Sequence, residues 1–160
     1  MGSKVLRIVA KSAQEMKKAG EFLAQEIIRT ANKEQRTKNS KIRKKAIIIG
    51  LEGELGSGKT TFIQGMAKGL EIKEKITSPT FVIMRRYGWF CHIDCYRLNS
   101  PQDLLDLGFK EIISQPNIVV IEWAEKIKKI LPKDTFWIKF EYLDKDKRMI
   151  AFDPEASPLK

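Results

Sequence analysis

The alternation of apolar and polar positions divides the chain into strands and helices in turn. Val5 to Ala10 reads as a short opening strand. Ser12-Ala13-Gln14-Glu15 has capping-box spacing, a hydroxyl for an orphan amide and a glutamate three residues on. Met16, Ala19, Leu23 and Ile27 follow at helical intervals, which predicts a helix from about 13 to 32. Ala46 to Leu51 is a continuous run of β-formers, the pattern of a strand covered on both faces. A glycine-rich turn succeeds it, and 60–70 reads as helix. Phe81 to Arg86 and Phe90 to Tyr96 predict two strands joined around Gly88. Pro101 opens a helical region that Gly108 interrupts before 109–114. Ile118 to Ile121 is a second buried-type strand, ending on Glu122, and 124–131 predicts a short helix. Phe136 to Tyr142 and Met149 to Phe152 suggest a closing hairpin around Asp144 to Lys147. Strands alternating with helices, with hairpins mixed in, predict an α/β fold: a three-layer P-loop NTPase-like sandwich around a mixed, mostly parallel sheet.

At 160 residues the chain is expected to be one domain, 1–160, with 33–45 as a basic linker-like insertion. Its 42% hydrophobic and 31% charged residues mark a globular composition. The longest apolar stretch is far short of the ~20 residues a bilayer requires. With no signal-peptide pattern, the expected location is cytoplasmic, with no membrane partner. Two cysteines, Cys91 and Cys95, give no disulfide framework; adding His92 yields no convincing zinc set. The net charge of +10 is concentrated at 33–45, where seven Lys or Arg residues face a single acid, Glu34. A solvated loop and a contact for RNA or an acidic partner both fit this run, which is expected to lie outside any nucleotide pocket.

The candidate chemistry begins at Gly53-Glu54-Leu55-Gly56-Ser57-Gly58-Lys59-Thr60, which satisfies G-x-x-x-x-G-K-[ST] between a buried strand and a helix. Glycines let backbone amides wrap phosphates, and the helix N-terminus adds positive potential. Lys59 can reach the β- and γ-phosphates, while the Thr60 hydroxyl can serve Mg²⁺. Glu122, ending a buried strand, stands where a Walker B acid is expected; a strand-end surface acid or a lysine partner is the plainer reading. In Cys91-His92-Ile93-Asp94-Cys95-Tyr96, alternation puts His92, Asp94 and Tyr96 on one face, an ordinary edge-strand pattern in which His92 reads as structural. ATP hydrolysis needs a group to hold Mg²⁺ and another to orient water, and Asp94 and Glu122 could divide those tasks. Thr77-Ser78-Pro79-Thr80-Phe81 reads equally as a switch-like loop near a γ-phosphate or as a capped turn.

Together these segments resemble the TsaE (YjeE) ATPases of bacterial tRNA threonylcarbamoyladenosine synthesis. The resemblance rests on residues 53–61, Ser78-Pro79-Thr80-Phe81, His92-x-Asp94-x-Tyr96-Arg97-Leu98, Gly108 and Glu122-Trp123-Ala124-Glu125. It implies a Mg²⁺-dependent ATPase that works with TsaD and TsaB and meets tRNA through that complex. Carried over, Asp94, Glu122 and Lys59 are catalytic, and Thr60, Glu122 and Asp94 serve the metal. Glu54, Leu55, Gly56, Ser57, Gly58, Lys59, Thr60, Thr61, Thr80, Trp123 and Arg148 hold the nucleotide; Trp123 reads equally as a packed core aromatic. A small-molecule kinase closing Arg85, Arg86 and Arg97 over phosphates is the alternative enzyme. An RNA-binding adaptor that keeps ATP only as a ligand is the non-enzymatic one. The guanine signature Asn-Lys-x-Asp is absent.

Overall fold

A computed structural model describes residues 5–35 and 45–153. All but the ends of the basic run at 33–45 therefore lie outside the described residues. The elements are β1 (Leu6–Ala10), α1 (Ala13–Gln35), β2 (Ile47–Gly53), α2 (Lys59–Gly69), β3 (Met84–Tyr87), β4 (Phe90–Asp94), α3 (Pro101–Leu105), α4 (Phe109–Ile113), β5 (Ile118–Glu122), a 3₁₀ helix (Ala124–Ile130), β6 (Phe136–Tyr142) and β7 (Arg148–Phe152). Seven strands form one sheet in the order β1-β7-β6-β2-β5-β4-β3. Its four central strands, β6, β2, β5 and β4, run parallel, and both margins are antiparallel. The expected α/β class holds, with the parallel character confined to the middle of the sheet.

Two cores follow from strand alternation. Ile47, Ile49 and Leu51 of β2 and Ile118 and Val120 of β5 pack with Leu23 and Ile27 of α1 and Phe62 and Met66 of α2. The opposite face, carrying Ile48, Val119 and Ile121, packs on Leu104 of α3, Phe109 of α4 and Ile127 of the 3₁₀ helix. Continuous apolar runs in β2 and β5 are thus read by helices from both sides, giving three layers. The start of α1 is fixed as its sequence predicts, since Ser12 Oγ accepts the Glu15 N–H at 3.1 Å. The reciprocal arm differs: the Glu15 carboxylate accepts from the Lys11 N–H.

Three boundaries depart from the sequence reading. β3 begins at Met84 rather than Phe81, because Val82 and Ile83 turn back to donate to Pro79 O and Ile83 adopts a left-handed backbone (φ 68°). β4 ends at Asp94 rather than Tyr96, because the Asp94 side chain accepts the Tyr96 N–H and starts a turn. β4 is also no edge strand. It lies between β3 and β5 with all five residues buried, so His92 points into the interior on the face of α1 and α2.

Cys91 and Cys95 lie in the second core as free thiols, and burial pushes them up from 9.0 to about 11 and about 12. Unfolded thiols therefore ionise first. The stability these groups contribute is complete below 9.0 and is lost as pH rises toward about 12. At pH 8 neither cysteine of the folded protein should react with an aromatic disulfide reagent, and both should react in denaturant. Rapid labelling of the native protein would contradict their place in the core.

Candidate nucleotide and metal site

The parallel strands β2, β4 and β5 deliver their C-terminal ends to one place, and α2 starts there. The turn from β2 into α2 runs through Gly56 (φ 77°) and Gly58 (φ 98°), both in the left-handed region that a side chain resists. At Gly58 space is short as well, since a Cβ would lie 2.7 Å from Met16 Cε of α1. This backbone leads into the N-terminus of an 11-residue helix, whose first amides have no carbonyl partner within the helix. A cleft of about 330 Å³ opens at this point.

The lining of the cleft contains residues 55–61, Ser78, Thr80, Asp94, Tyr96, Glu122 and Trp123. Of the residues expected at a nucleotide, it therefore brings together Leu55, Gly56, Ser57, Gly58, Lys59, Thr60, Thr61, Thr80 and Trp123. Glu54 and Arg148 do not line it. Glu54 acts through its carbonyl, which accepts Lys59 Nζ at 3.0 Å and the Ser57 N–H at 3.2 Å. Arg148, set by the turn after β6, donates Nε to Gly56 O at 2.9 Å and so ties the loop to the start of β7. Ser78 and Tyr96 were absent from the sequence-derived site, although both sit in its motifs. Their signal was the hydroxyl-rich turn before β3 and the two-residue spacing from Asp94.

Lys59 is buried. Its ammonium donates to Gly53 O, Glu54 O and Ser57 Oγ and lies 4.3 Å from the centroid of the Trp123 ring. Burial holds its pKa below the ordinary 10.5, with Glu122, Glu125 and Asp94 opposing that shift. Trp123 reaches this place through a left-handed backbone (φ 57°) directly after β5, and Tyr96 packs on it at 5.1 Å. Glu125 stands nearby; burial pushes its carboxyl up, against its own backbone amide and Lys59.

Asp94 and Glu122 are register partners on adjacent parallel strands. Glu122 Oε1 accepts the Thr60 hydroxyl at 2.9 Å, and Oε2 pairs with His92 Nε2 at 2.8 Å. Asp94 Oδ2 accepts from Ser78 at 3.1 Å and Thr80 at 2.8 Å, and Oδ1 accepts the Tyr96 N–H at 2.9 Å. The 77–81 segment is thus tied directly to Asp94, more than a capped turn requires.

A hard cation fits this donor set. Thr60, Asp94 and Glu122 offer only oxygen, as Mg²⁺ prefers. Among the described residues no group of three or more His, Cys, Asp or Glu side chains gathers to hold an ion alone.

The chain is similar to known proteins in sequence and in fold. A family model described as "Threonylcarbamoyl adenosine biosynthesis protein TsaE" matches residues 10–150. The tRNA threonylcarbamoyladenosine biosynthesis protein TsaE of Treponema pallidum (strain Nichols) is 39% identical over 65% of this chain and 79% of its own length. Its namesake in Bacillus subtilis (strain 168) is 35% identical over 78% of this chain and 82% of its own. The crystal structure of YdiB from Bacillus subtilis superposes with a TM-score of 0.70 at 27% identity, covering 95% of this chain and 86% of that one. No described helix is long and apolar enough to cross a membrane. With the family model covering most of its length, the chain belongs to the TsaE family of threonylcarbamoyl adenosine biosynthesis proteins.

Proposed function

We propose that this protein binds and hydrolyses Mg²⁺-ATP in the cytoplasm and, with TsaD and TsaB, serves the threonylcarbamoyladenosine modification of tRNA. The observation that carries the reading is the meeting of Lys59, Thr60, Asp94 and Glu122 at the ends of α2, β4 and β5. The loop amides and the Lys59 ammonium neutralise phosphate charge as it builds toward the transition state. The Thr60 hydroxyl gives its hydrogen to Glu122 and keeps its lone pairs for the ion. Mg²⁺, when bound, would draw charge from the β- and γ-phosphate oxygens.

Asp94 orients the attacking water. Its Oδ2 takes the Ser78–Thr80 hydroxyl pair, which share two hydrogens among three contacts, and its Oδ1 takes the Tyr96 N–H, so lone pairs remain for a water in the shell of the ion. The water oxygen bonds to the γ-phosphorus, the bond to the β–γ bridging oxygen breaks, and the proton ends on phosphate. Kinase chemistry finds less support: Arg97 stacks on Phe81, and neither Arg85 nor Arg86 lines the cleft.

The test is ATP turnover with and without purified TsaD–TsaB and tRNA, scored beside tRNA modification. Stimulation by the partners, and multiple-turnover modification that needs this protein, are the expected results. Asp94→Asn should keep ATP affinity within about threefold and lower kcat by about 10²-fold or more. Glu122→Gln should lose turnover too. Full turnover in both variants would take hydrolysis away from Asp94 and Glu122, whereas a wild-type protein that binds ATP but turns none over, even with the partners, would favour the adaptor reading.

A further inference from the structure

Glu122 is held from two sides, and only one of its partners faces the cleft. Thr60 lines the cleft; His92 does not. His92 is 0% exposed, sits in register with Val120 on β5, and reaches across to Glu122 Oε2 at 2.8 Å. A carboxylate only accepts, so Nε2 carries the hydrogen of this bond. Among the described residues Nδ1 finds no polar partner. That assignment leaves a lone pair unpaired at Nδ1, a milder defect than the buried N–H of the other tautomer.

The neighbours of His92 on the same face of the sheet, Phe90 of β4 and Val120 of β5, are apolar and buried, and an aliphatic side chain at 92 would suit that face as well. The histidine therefore needs a reason, and the bond supplies one. A carboxylate bonded through one oxygen can swing about its last torsion. One bonded through both, to donors on different elements, cannot turn without breaking a buried hydrogen bond. We propose that His92 is a positioning residue: it fixes the plane of the Glu122 carboxylate so that Oε1 stays on Thr60, where the metal–nucleotide complex is to be held. This rests on the Mg²⁺-ATP reading above. Hydrogen-bonded partners of metal-binding carboxylates commonly change metal affinity by about 10–100-fold when removed.

Two variants of the full chain separate reach from polarity. His92→Gln can set a donor where Nε2 now stands, whereas the amide of His92→Asn is one bond short. Affinity for β,γ-imido ATP, measured by calorimetry with and without Mg²⁺, gives a readout that needs no turnover; melting temperature checks the fold. The wild-type protein should bind the analogue more tightly with Mg²⁺. H92N should bind it without metal within about threefold of wild type and lose about 10-fold or more of the Mg²⁺-dependent gain. H92Q should restore most of it. A folded H92N with the full gain, or a folded H92Q that loses as much as H92N, would overturn the role of His92. Should H92N fail to fold, H92Q decides by the same tenfold criterion. Wild-type affinity indifferent to Mg²⁺ would instead sink the metal–nucleotide reading, and the inference with it.

Discussion

Replacing Lys59 by alanine should lower kcat/KM for ATP by about 10²–10³-fold, the usual cost of removing one preorganised donor from developing transition-state charge. The same change should leave the melting temperature of the nucleotide-free protein within about 3 °C of wild type. The ammonium is buried beside three loop oxygens and an indole face, and burial holds its pKa below 10.5. The sign follows from linkage. Between the depressed folded pKa and the ordinary value, the unfolded chain binds more protons, so stability rises with pH across that window. Below both values the charged Lys59 is a net cost to the fold, and its loss relieves that cost while freeing the loop carbonyls to solvent. Turnover and thermal melting of K59A, measured on one preparation, check both parts. Unchanged turnover would remove the P-loop lysine from the phosphate site.

Gly65→Ala should destabilise the protein by about 3 kcal/mol or more, at or beyond the upper end of ordinary overpacking. A Cβ at Gly65 would lie 1.9 Å from Lys17 O and 2.7 Å from Lys17 C, both backbone atoms of α1 that no rotamer change can move. The contact is mutual, for a Cβ at Gly20 of α1 would lie 2.1 Å from Phe62 O of α2. Alanine's better helix propensity returns about 1 kcal/mol at most. At about 2–4 °C per kcal/mol for a chain of this size, Tm should fall by roughly 6–12 °C. The displaced helix is the one that begins at the phosphate loop, and Met16 of α1 touches the Gly58 turn, so nucleotide affinity should fall as well. A G65A protein with wild-type melting would mean that α1 and α2 stand further apart than described.

Most of this architecture was legible in the residues, for reasons that can be named. Ile47–Leu51 and Ile118–Ile121 announced doubly covered strands because period-2 packing on both faces leaves no polar position. The phosphate loop declared itself through residue types that its backbone demands. The harder parts depend on contacts distant in sequence. The His92–Glu122 bond spans 30 residues and exists only because β4 and β5 pair in parallel at one particular register. Local alternation placed His92 on a face without telling whether that face met water. Phe81 and Val82 looked like strand but are 82% and 53% exposed, because Pro79 and the left-handed Ile83 set a turn that β-propensity does not register. Arg148 was assigned to the nucleotide from the family pattern; its partner in the loop is Gly56 O, 92 residues away in sequence, a contact that no local pattern announces.

The pairing of β1 with β7 has a consequence for synthesis. β1 finds its hydrogen-bonding partner about 140 residues later in the chain, so at ~5–20 residues per second the ribosome must work for many seconds before that edge can form. Helix α1 meets α2 well before then, and the phosphate loop can take shape on the nascent chain while β1 still waits. A nascent chain stalled before Arg148 would therefore leave β1 unpaired and the phosphate loop without its bond from Arg148 to Gly56 O.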